Sequence, residues 1–458
     1  MTTFTDLESA AREWVRDAAE VLLAGPEPVD SLGLRRWQRD EDGIFRDRER
    51  PARIWPLDML DAVQQLPSWQ AVDRILNTNE RLKAQMGQVV GTRHGGGGLY
   101  AERVCQILMP QPDEINDLDA AFRRRYERLD SFLAAQDFGL VTVWPMPGLI
   151  SDQFPIQLEP DLELDLLADD ELAAALNSEL VRPIGGPGMP LLGPGQGAQA
   201  GLRYRYRLAK VVGDSNPQQL EQLQKFNEEL GDCRSLVEQV LALLYVDPAA
   251  ISGRLTIETD WTFHSGGIMF SSATLRPGWW SRQLLVDEQG AAEPVRVWRQ
   301  LRQRGWLQSH KALALALRRL SYQAGRERTE DELVDILVAA EALYLSDVGF
   351  EELGFRMALR AAALCRPEKL EMTRREVFDL MKSAYKVRGA VVHGNTPKPQ
   401  DMRAKGESVP LAEFVQVIEG VIRDGLQVAL DRTASPNGGW PPDWDGMTLP
   451  QGSDPALQ

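Results

Sequence analysis

The chain changes its rhythm of apolar and polar positions several times, and each change marks out an element. Apolar residues at every third or fourth position predict an amphipathic helix over 5–24 (TDLESAAREWVRDAAEVLLA), stopped by GPEP. Up to about residue 140 the same rhythm recurs in short helices with charged faces, among them DAAFRRRYERLDSFLAA. FGLVTVWPMPG at 138–148 reads as a strand and turn. DLELDLLADDELAAAL, from Asp161, reads as a short strand leading into a helix, and RYRYRLAKVV alternates as a strand does. Between these two, 183–201 (PIGGPGMPLLGPGQGAQAG) is so rich in Gly and Pro that it must form a loop or linker. A helix is predicted over 216–245, and 253–287 reads as β-rich. No internal repeat is visible.

From about residue 296 the rhythm is helical throughout. Thr329 with Glu332, and Thr373 with Glu376, each match the T-x-x-E capping box that starts a helix. Behind the first, Leu333, Ile336, Leu337, Ala340, Leu343 and Tyr344 share one face. Behind the second, Val377, Leu380, Met381 and Ala384 do the same. A last helix is predicted over 409–432, apolar at Leu411, Phe414, Val415, Ile418, Ile422 and Leu426. SPNGGWPPDWDG and the residues after it read as a poorly ordered tail. The expected fold class is α+β multidomain: a mixed α/β region over 1–290, an all-α helical bundle over 296–433 and a tail over 434–458.

Composition changes this picture little. The 458 residues are 43% hydrophobic and 26% charged, as in an ordinary soluble protein. No apolar run approaches the length that crosses a bilayer, and MTTFTDLESAAREW has neither the basic start nor the apolar core of a signal peptide. Cys105, Cys233 and Cys365 are scattered and never form C-x-x-C, which favours a reducing cytoplasm over a disulfide scaffold or zinc site. The expectation is a cytoplasmic protein with no membrane partner, no cofactor and no metal.

Charge changes it more. The net charge of −16 looks hostile to nucleic acid, yet it is unevenly spread. Residues 296–432 carry 23 Lys and Arg against 19 Asp and Glu, whereas the remainder carries 28 against 48. Such asymmetry suggests different partners for the two parts, and the C-terminal one can hold a polyanion.

Several signatures of catalysis are missing: G-x-x-x-x-G-K-[ST], H-E-x-x-H and G-x-S-x-G do not occur. GTRHGGGGLY at 91–100 sets Arg93 and His94 beside four glycines but does not open a helix, so it reads as a flexible loop. The prolines of GPGQG spoil it as a dinucleotide fingerprint. Trp279 and Trp280 read as packed indoles at a turn between strands rather than as a base-stacking platform.

An arginine shortly before a histidine is the remaining signal. With four to six residues between, two of the four histidines have one: Arg388 before His393, with four between, and Arg304 before His310, with five. Spacing alone cannot separate them, but context does. Arg304 lies in the charged RQLRQRGW segment, a solvated face. Arg388 falls about 20° from the centre of the apolar face of its helix. A permanent charge there needs an anionic partner or an interface. His393 precedes Gly394, a candidate for the glycine that closes a helix, where the dipole favours the protonated ring. Glu341, on the flank of the preceding capped helix, can pair with either residue. Two explanations stand at this point: an Arg–Glu pair that fixes helix packing with His393 as a cap, or a phosphate site.

Residues from Trp298 to Thr433 resemble the HEPN domain of the ApeA-like type. The resemblance runs through ALALALRRLSYQAGRERTEDELVDILVAAEALYL, then ELGFRMALRAAALC, then RREVFDLMKSAYKVRGAVVHGN, and covers about 30% of the chain. It implies that 296–433 is a HEPN bundle acting as a metal-independent endoribonuclease of a toxin or anti-phage defence type, usually as a homodimer. It further implies that Arg388 and His393 are the catalytic pair, that Glu341 supports them, and that 1–290 regulates or senses an unknown trigger. In family motifs a polar residue often follows the arginine, where this chain has Gly389. That departure keeps open a non-catalytic HEPN module that binds RNA or a protein partner. A further alternative is an enzyme centred on the N-terminal region, with the helices serving for dimerisation.

The chemistry suits the residues. Without a metal, RNA cleavage uses the 2′-OH as nucleophile on the adjacent phosphorus, and needs a proton acceptor, a proton donor and positive charge on the phosphorane oxygens. His393 can transfer protons and Arg388 presents a planar fork to two phosphate oxygens. One chain brings one such histidine; a two-fold dimer brings two.

Overall fold

The computed structural model of the chain describes residues 4–30, 37–39, 45–47, 53–84, 101–146, 149–167, 171, 200–209, 217–245, 255–258, 284–323, 326, 328–347, 352–435 and 438–448. The whole GTRHGGGGLY run, nearly all of the Gly/Pro-rich 183–201 segment, the Trp279-Trp280 pair and the last ten residues lie outside the described residues. The architecture is mixed α+β with a helical C-terminal region. Two compact units divide the chain, and the division does not follow a single cut. The first holds Met1–Leu149, Phe154–Asp232 and Ile251–Ala273; the second holds Ile150–Gln153, Cys233–Ala250 and Thr274–Gln458.

The first unit opens with α1 (Thr5–Ala24), as the periodicity predicts. Asp6 and Glu8 sit in its first turn, at the positive end of the helix dipole. Its face of Leu7, Ala11, Trp14, Val15, Ala18 and Leu22 is buried, and the Trp14 indole nitrogen donates to Val63 O at 3.0 Å. That hydrogen bond lets a fully buried indole satisfy its one polar atom. The helices α2 (Leu57–Gln64), α3 (Pro67–Thr78), α4 (Glu80–Lys83), α5 (Ala101–Leu108) and α6 (Leu118–Ala134) share this core with it. Trp69 from α3 packs its ring 4.8 Å from that of Trp14. Short paired strands at Val29–Asp30 with Arg53–Ile54, and at Trp37–Arg39 with Phe45–Asp47, interrupt what the sequence presents as helical. Two or three residues are too few to show a period of two.

A five-stranded antiparallel sheet completes this unit. Its strands are β1 (Asp137–Pro145), β2 (Ile156–Glu159), β3 (Leu162–Leu166), β4 (Ala200–Ala209) and β5 (Leu255–Glu258), in the order β5-β1-β4-β3-β2. Alternation on β4 puts Tyr204 and Tyr206 on one face, where Tyr206 meets Phe226 at 4.5 Å, and Arg203, Arg205 and Arg207 on the other. Arg203 is nonetheless buried. Glu163 at 2.9 Å, Asp165 at 2.6 Å and Glu171 at 2.5 Å surround its guanidinium and compensate its desolvation.

Helix α7 (Pro217–Leu244) matches the helix expected over 216–245. The second unit continues with α8 (Glu288–Arg302), α9 (Trp306–Ser309), α10 (Lys311–Gln323), α11 (Thr329–Tyr344), α12 (Leu353–Leu364), α13 (Pro367–Leu370), α14 (Arg374–Val392), α15 (Leu411–Ala434) and α16 (Trp444–Thr448). Leu333, Ile336, Leu337, Ala340, Leu343 and Tyr344 of α11 are all buried, as are Phe414, Val415, Ile418, Ile422 and Leu426 of α15.

Three details differ from the sequence reading. The region is not purely helical, because residues 403–404 and 407–408 form a small antiparallel hairpin around Gly406, whose φ of +84° makes the tight reversal. The Thr373/Glu376 capping box forms, but the one at Thr329 does not: Arg328 occupies the cap position in extended backbone and Thr329 is already the first helical residue. The described part of the tail, 438–448, is structured and includes α16. Trp444 is buried against the edge of Tyr344 at 6.3 Å, with the Arg360 guanidinium 4.9 Å above its ring. Pro and Gly hid an anchoring tryptophan. No helix among the described residues is long and apolar enough to cross a membrane.

Candidate functional site

The site is built on α14, and its local sequence explains its shape. At its start the Thr373 backbone N–H donates to Glu376 Oε2 at 2.7 Å, and the Thr373 hydroxyl accepts from the Glu376 N–H at 3.2 Å. The Thr373 backbone N–H and, as the smaller cause, the Thr373 hydroxyl, which donates to the same carboxyl oxygen at 2.8 Å, hold the Glu376 carboxyl below its ordinary range. Val377, Leu380, Met381, Ala384 and Val387 then bury one face. Gly354 of α12 lies so close that a Cβ there would meet Tyr385 Cδ1 at 2.8 Å. Tyr385 is thereby wedged one turn before Arg388.

Arg388 continues the stripe, four residues after Ala384, but stands at its edge rather than near its centre. Its side chain is half-buried, 26% exposed. The flank residue Glu341 on α11 answers it: Arg388 Nη1 is 3.0 Å from Glu341 Oε1, whose side chain is 28% exposed. The guanidinium also lies 6.0 Å from the centroid of the Tyr385 ring. Its Nε is buried and has no hydrogen-bond acceptor among the described residues. That is an unmet donor, costly unless something occupies it.

His393 is the C-cap of the same helix. Gly394 takes φ +74°, its N–H reaches Val391 O at 2.9 Å, and the Asn395 N–H reaches Ala390 O at 2.8 Å. This pair of bonds is a Schellman closure, which only a residue without a Cβ adopts cheaply. The His393 side chain is exposed. Five helical steps carry it about 140° around the axis from Arg388. The two residues therefore share an end of the helix but not a face.

The structure thus brings Arg388 and Glu341 together and leaves His393 exposed on another face of the same helix end. The other arginine–histidine pair is different in kind. The His310 ring stacks on Trp306 at 4.8 Å, and its Nδ1 is 3.0 Å from Trp306 O. That histidine is a packing residue.

The sequence reading missed how the charge concentrates. The whole excess of 296–432 lies within 373–408, with eight Lys and Arg against four Asp and Glu; the rest of that region is balanced, fifteen against fifteen. Lys382 and Lys386 project from α14 as exposed side chains, Lys386 pairing with Asp401 at 2.7 Å. A residue-by-residue tally of the region would have found this patch; a regional sum diluted it. Tyr385 and the tight approach of Gly354 were also missed, since nothing local signals a contact between helices. Among the described residues, no group of three or more His, Cys, Asp or Glu is placed to hold a metal ion.

No known protein family, curated protein or solved structure matches this chain.

Proposed function

We propose that the chain is an endoribonuclease that cleaves without a metal, with Arg388 and His393 as its reacting groups and Glu341 as the residue that positions Arg388. The carrying observation is the part-exposed Arg388 guanidinium, held through Nη1 by Glu341, on the helix that ends at the exposed His393. The exposed part of such a guanidinium fork fits a phosphate oxygen. The local excess of four positive charges at 373–408, in a chain of net charge −16, supports a polyanionic substrate.

In this reading the 2′-oxygen attacks the adjacent phosphorus while a base takes its proton. The P–O5′ bond breaks and an acid protonates the departing O5′, leaving a 2′,3′-cyclic phosphate and a 5′-hydroxyl. Arg388 offsets the charge that builds on the non-bridging oxygens. His393 performs one proton transfer, and a second copy of the chain would bring the other. Val392, 58% exposed, and Gly389, with open space where a Cβ would stand, support the approach of a second α14 along this edge. The helical 296–433 region then acts as a HEPN-type homodimer in a toxin or anti-phage setting, under control of the N-terminal region.

A second reading, RNA or protein binding without cleavage, is favoured by the Arg388–Glu341 pair itself, since an ion-paired cation can hold helices together and do no chemistry. A fluorescent single-stranded RNA incubated with the full chain in EDTA separates the two. Cleavage to cyclic-phosphate ends supports the first; retention of intact RNA supports the second.

A further inference from the structure

A cavity in the second unit, away from Arg388 and His393, has the chemistry of a ligand site. It has a volume of about 590 Å³, within the range typical of small-molecule pockets. Helices α8, α13 and α15 and the end of α7 line it. Its walls are charged, and the charges do not cancel locally.

At one end, Arg366 is already committed. Its backbone N–H and Nε bond the two oxygens of Asp424 at 2.9 and 2.7 Å, and that carboxylate is 1% exposed. Lys369, one helical turn on, has no carboxylate partner among the described residues. Its ammonium donates to Gln427 Oε1, the oxygen that also accepts from Arg366 Nη2 at 3.0 Å. The Gln427 amide is locked in that sense because its Nε2 donates to Leu243 O at 2.9 Å. One neutral oxygen thus serves two cations. Partial burial, and then Arg366, hold the Lys369 ammonium below its ordinary range.

At the other end the imbalance reverses. Arg296 lies between Glu293 at 2.8 Å and Asp431 at 3.2 Å, two carboxylates against one guanidinium. Gln427 and Asp431 are one turn apart on α15, which sets the two ends roughly 6 Å from each other. Leu244 and Tyr245 supply a partly apolar wall, the Tyr245 hydroxyl lying 3.4 Å from Gly290 O.

We propose that this cavity binds a nucleoside monophosphate. The phosphate meets Lys369, beside the Arg366 guanidinium that Asp424 holds in place, the ribose diol donates to Asp431 and Glu293, and the base packs on Leu244 and Tyr245. A carboxylate is the acceptor that a ribose diol fits, and an under-neutralised ammonium is what a phosphate fits. The site uses none of Arg388, His393 or Glu341, so it stands or falls apart from the ribonuclease reading.

Titration calorimetry on the full chain tests it, with AMP, GMP, CMP and UMP as probes and adenosine, inorganic phosphate and 2′,3′-dideoxy-AMP as controls. Saturable binding of at least one ribonucleotide is expected, with each control about tenfold weaker or more. Lys369→Met, which keeps the stem and whose fold is checked by circular dichroism, should weaken nucleotide binding about tenfold. Asp431→Asn should erase the preference for AMP over its dideoxy form. Absence of saturable binding by all four nucleotides at millimolar concentration overturns the proposal. So does inorganic phosphate binding as well as AMP, which would mark a bare anion site, or unchanged affinity in Lys369→Met.

Discussion

Arg388 and Glu341 lie on different helices, 47 positions apart in the sequence, with Nη1 and Oε1 3.0 Å apart. Each is about a quarter exposed, so their attraction is neither that of a solvated pair nor that of a sealed one. Removing the carboxylate leaves a half-buried guanidinium with one more unmet donor. Glu341→Ala should therefore destabilise the fold by about 1–2 kcal/mol in urea denaturation, more than an exposed pair would. Arg388→Ala with Glu341→Ala should cost less than the sum of the two. Additive losses would show that the pair contributes no coupling.

Cleavage distinguishes the two histidines. Arg388→Ala and His393→Ala should each lower ribonuclease activity by roughly two orders of magnitude with the fold intact by circular dichroism, and His393→Ala should also keep its melting temperature. His310→Ala should leave activity near wild type but lower the melting temperature, because its ring packs on Trp306. Equal loss of activity from both histidine variants would remove His393 from the mechanism. In mixtures, His393→Ala chains should depress wild-type activity beyond dilution if two copies share one site.

Much of this was legible from periodicity. The bounds of α1, α7 and α15, the strand at 137–145 and the buried faces of α11 and α14 all follow from apolar spacing, because each element buries one long stripe. Glu341 was legible as a partner for Arg388 since a charge beside an apolar stripe demands one. Arg203 was not, because its three carboxylates come from β3, the strand's end and residue 171. Nor was Trp444, whose Gly- and Pro-rich surroundings carry no periodicity, nor the cavity, whose residues come from four helices. Contacts distant in sequence leave no local trace.

Helix packing near the site depends on one missing methyl group. Gly354→Ala would place a Cβ 2.8 Å from Tyr385 Cδ1. The ring is held between two helices, so relief requires a backbone shift, and a loss of about 1–3 kcal/mol is expected by thermal or chemical denaturation. Gly389→Ala, in open space, should stabilise α14 slightly if the chain is monomeric. If a second copy packs there, the same change should weaken the dimer in sedimentation experiments.

Acid sensitivity should have a traceable component. The Glu376 carboxyl is held below its unfolded value of 4.5 by the capping box. A depressed folded value means that its contribution is complete above about 4.5 and fades as pH falls through the lower folded value. The stability difference between wild type and Glu376→Gln should therefore be constant at neutral pH and shrink on acidification. A difference that grows toward low pH would contradict the assignment.

The closure at Gly394 has a consequence for the cost of recognition. Because Gly394 and Asn395 return their N–H groups to the last turn, the backbone at His393 is fixed before any ligand arrives. What remains loose is the imidazole alone, free in two torsions. Engaging a ligand then forfeits the rotamer entropy of one short side chain, about 1 kcal/mol or less, instead of the larger penalty of ordering a loop. A histidine carried this way can swing to a partner quickly and let it go as quickly.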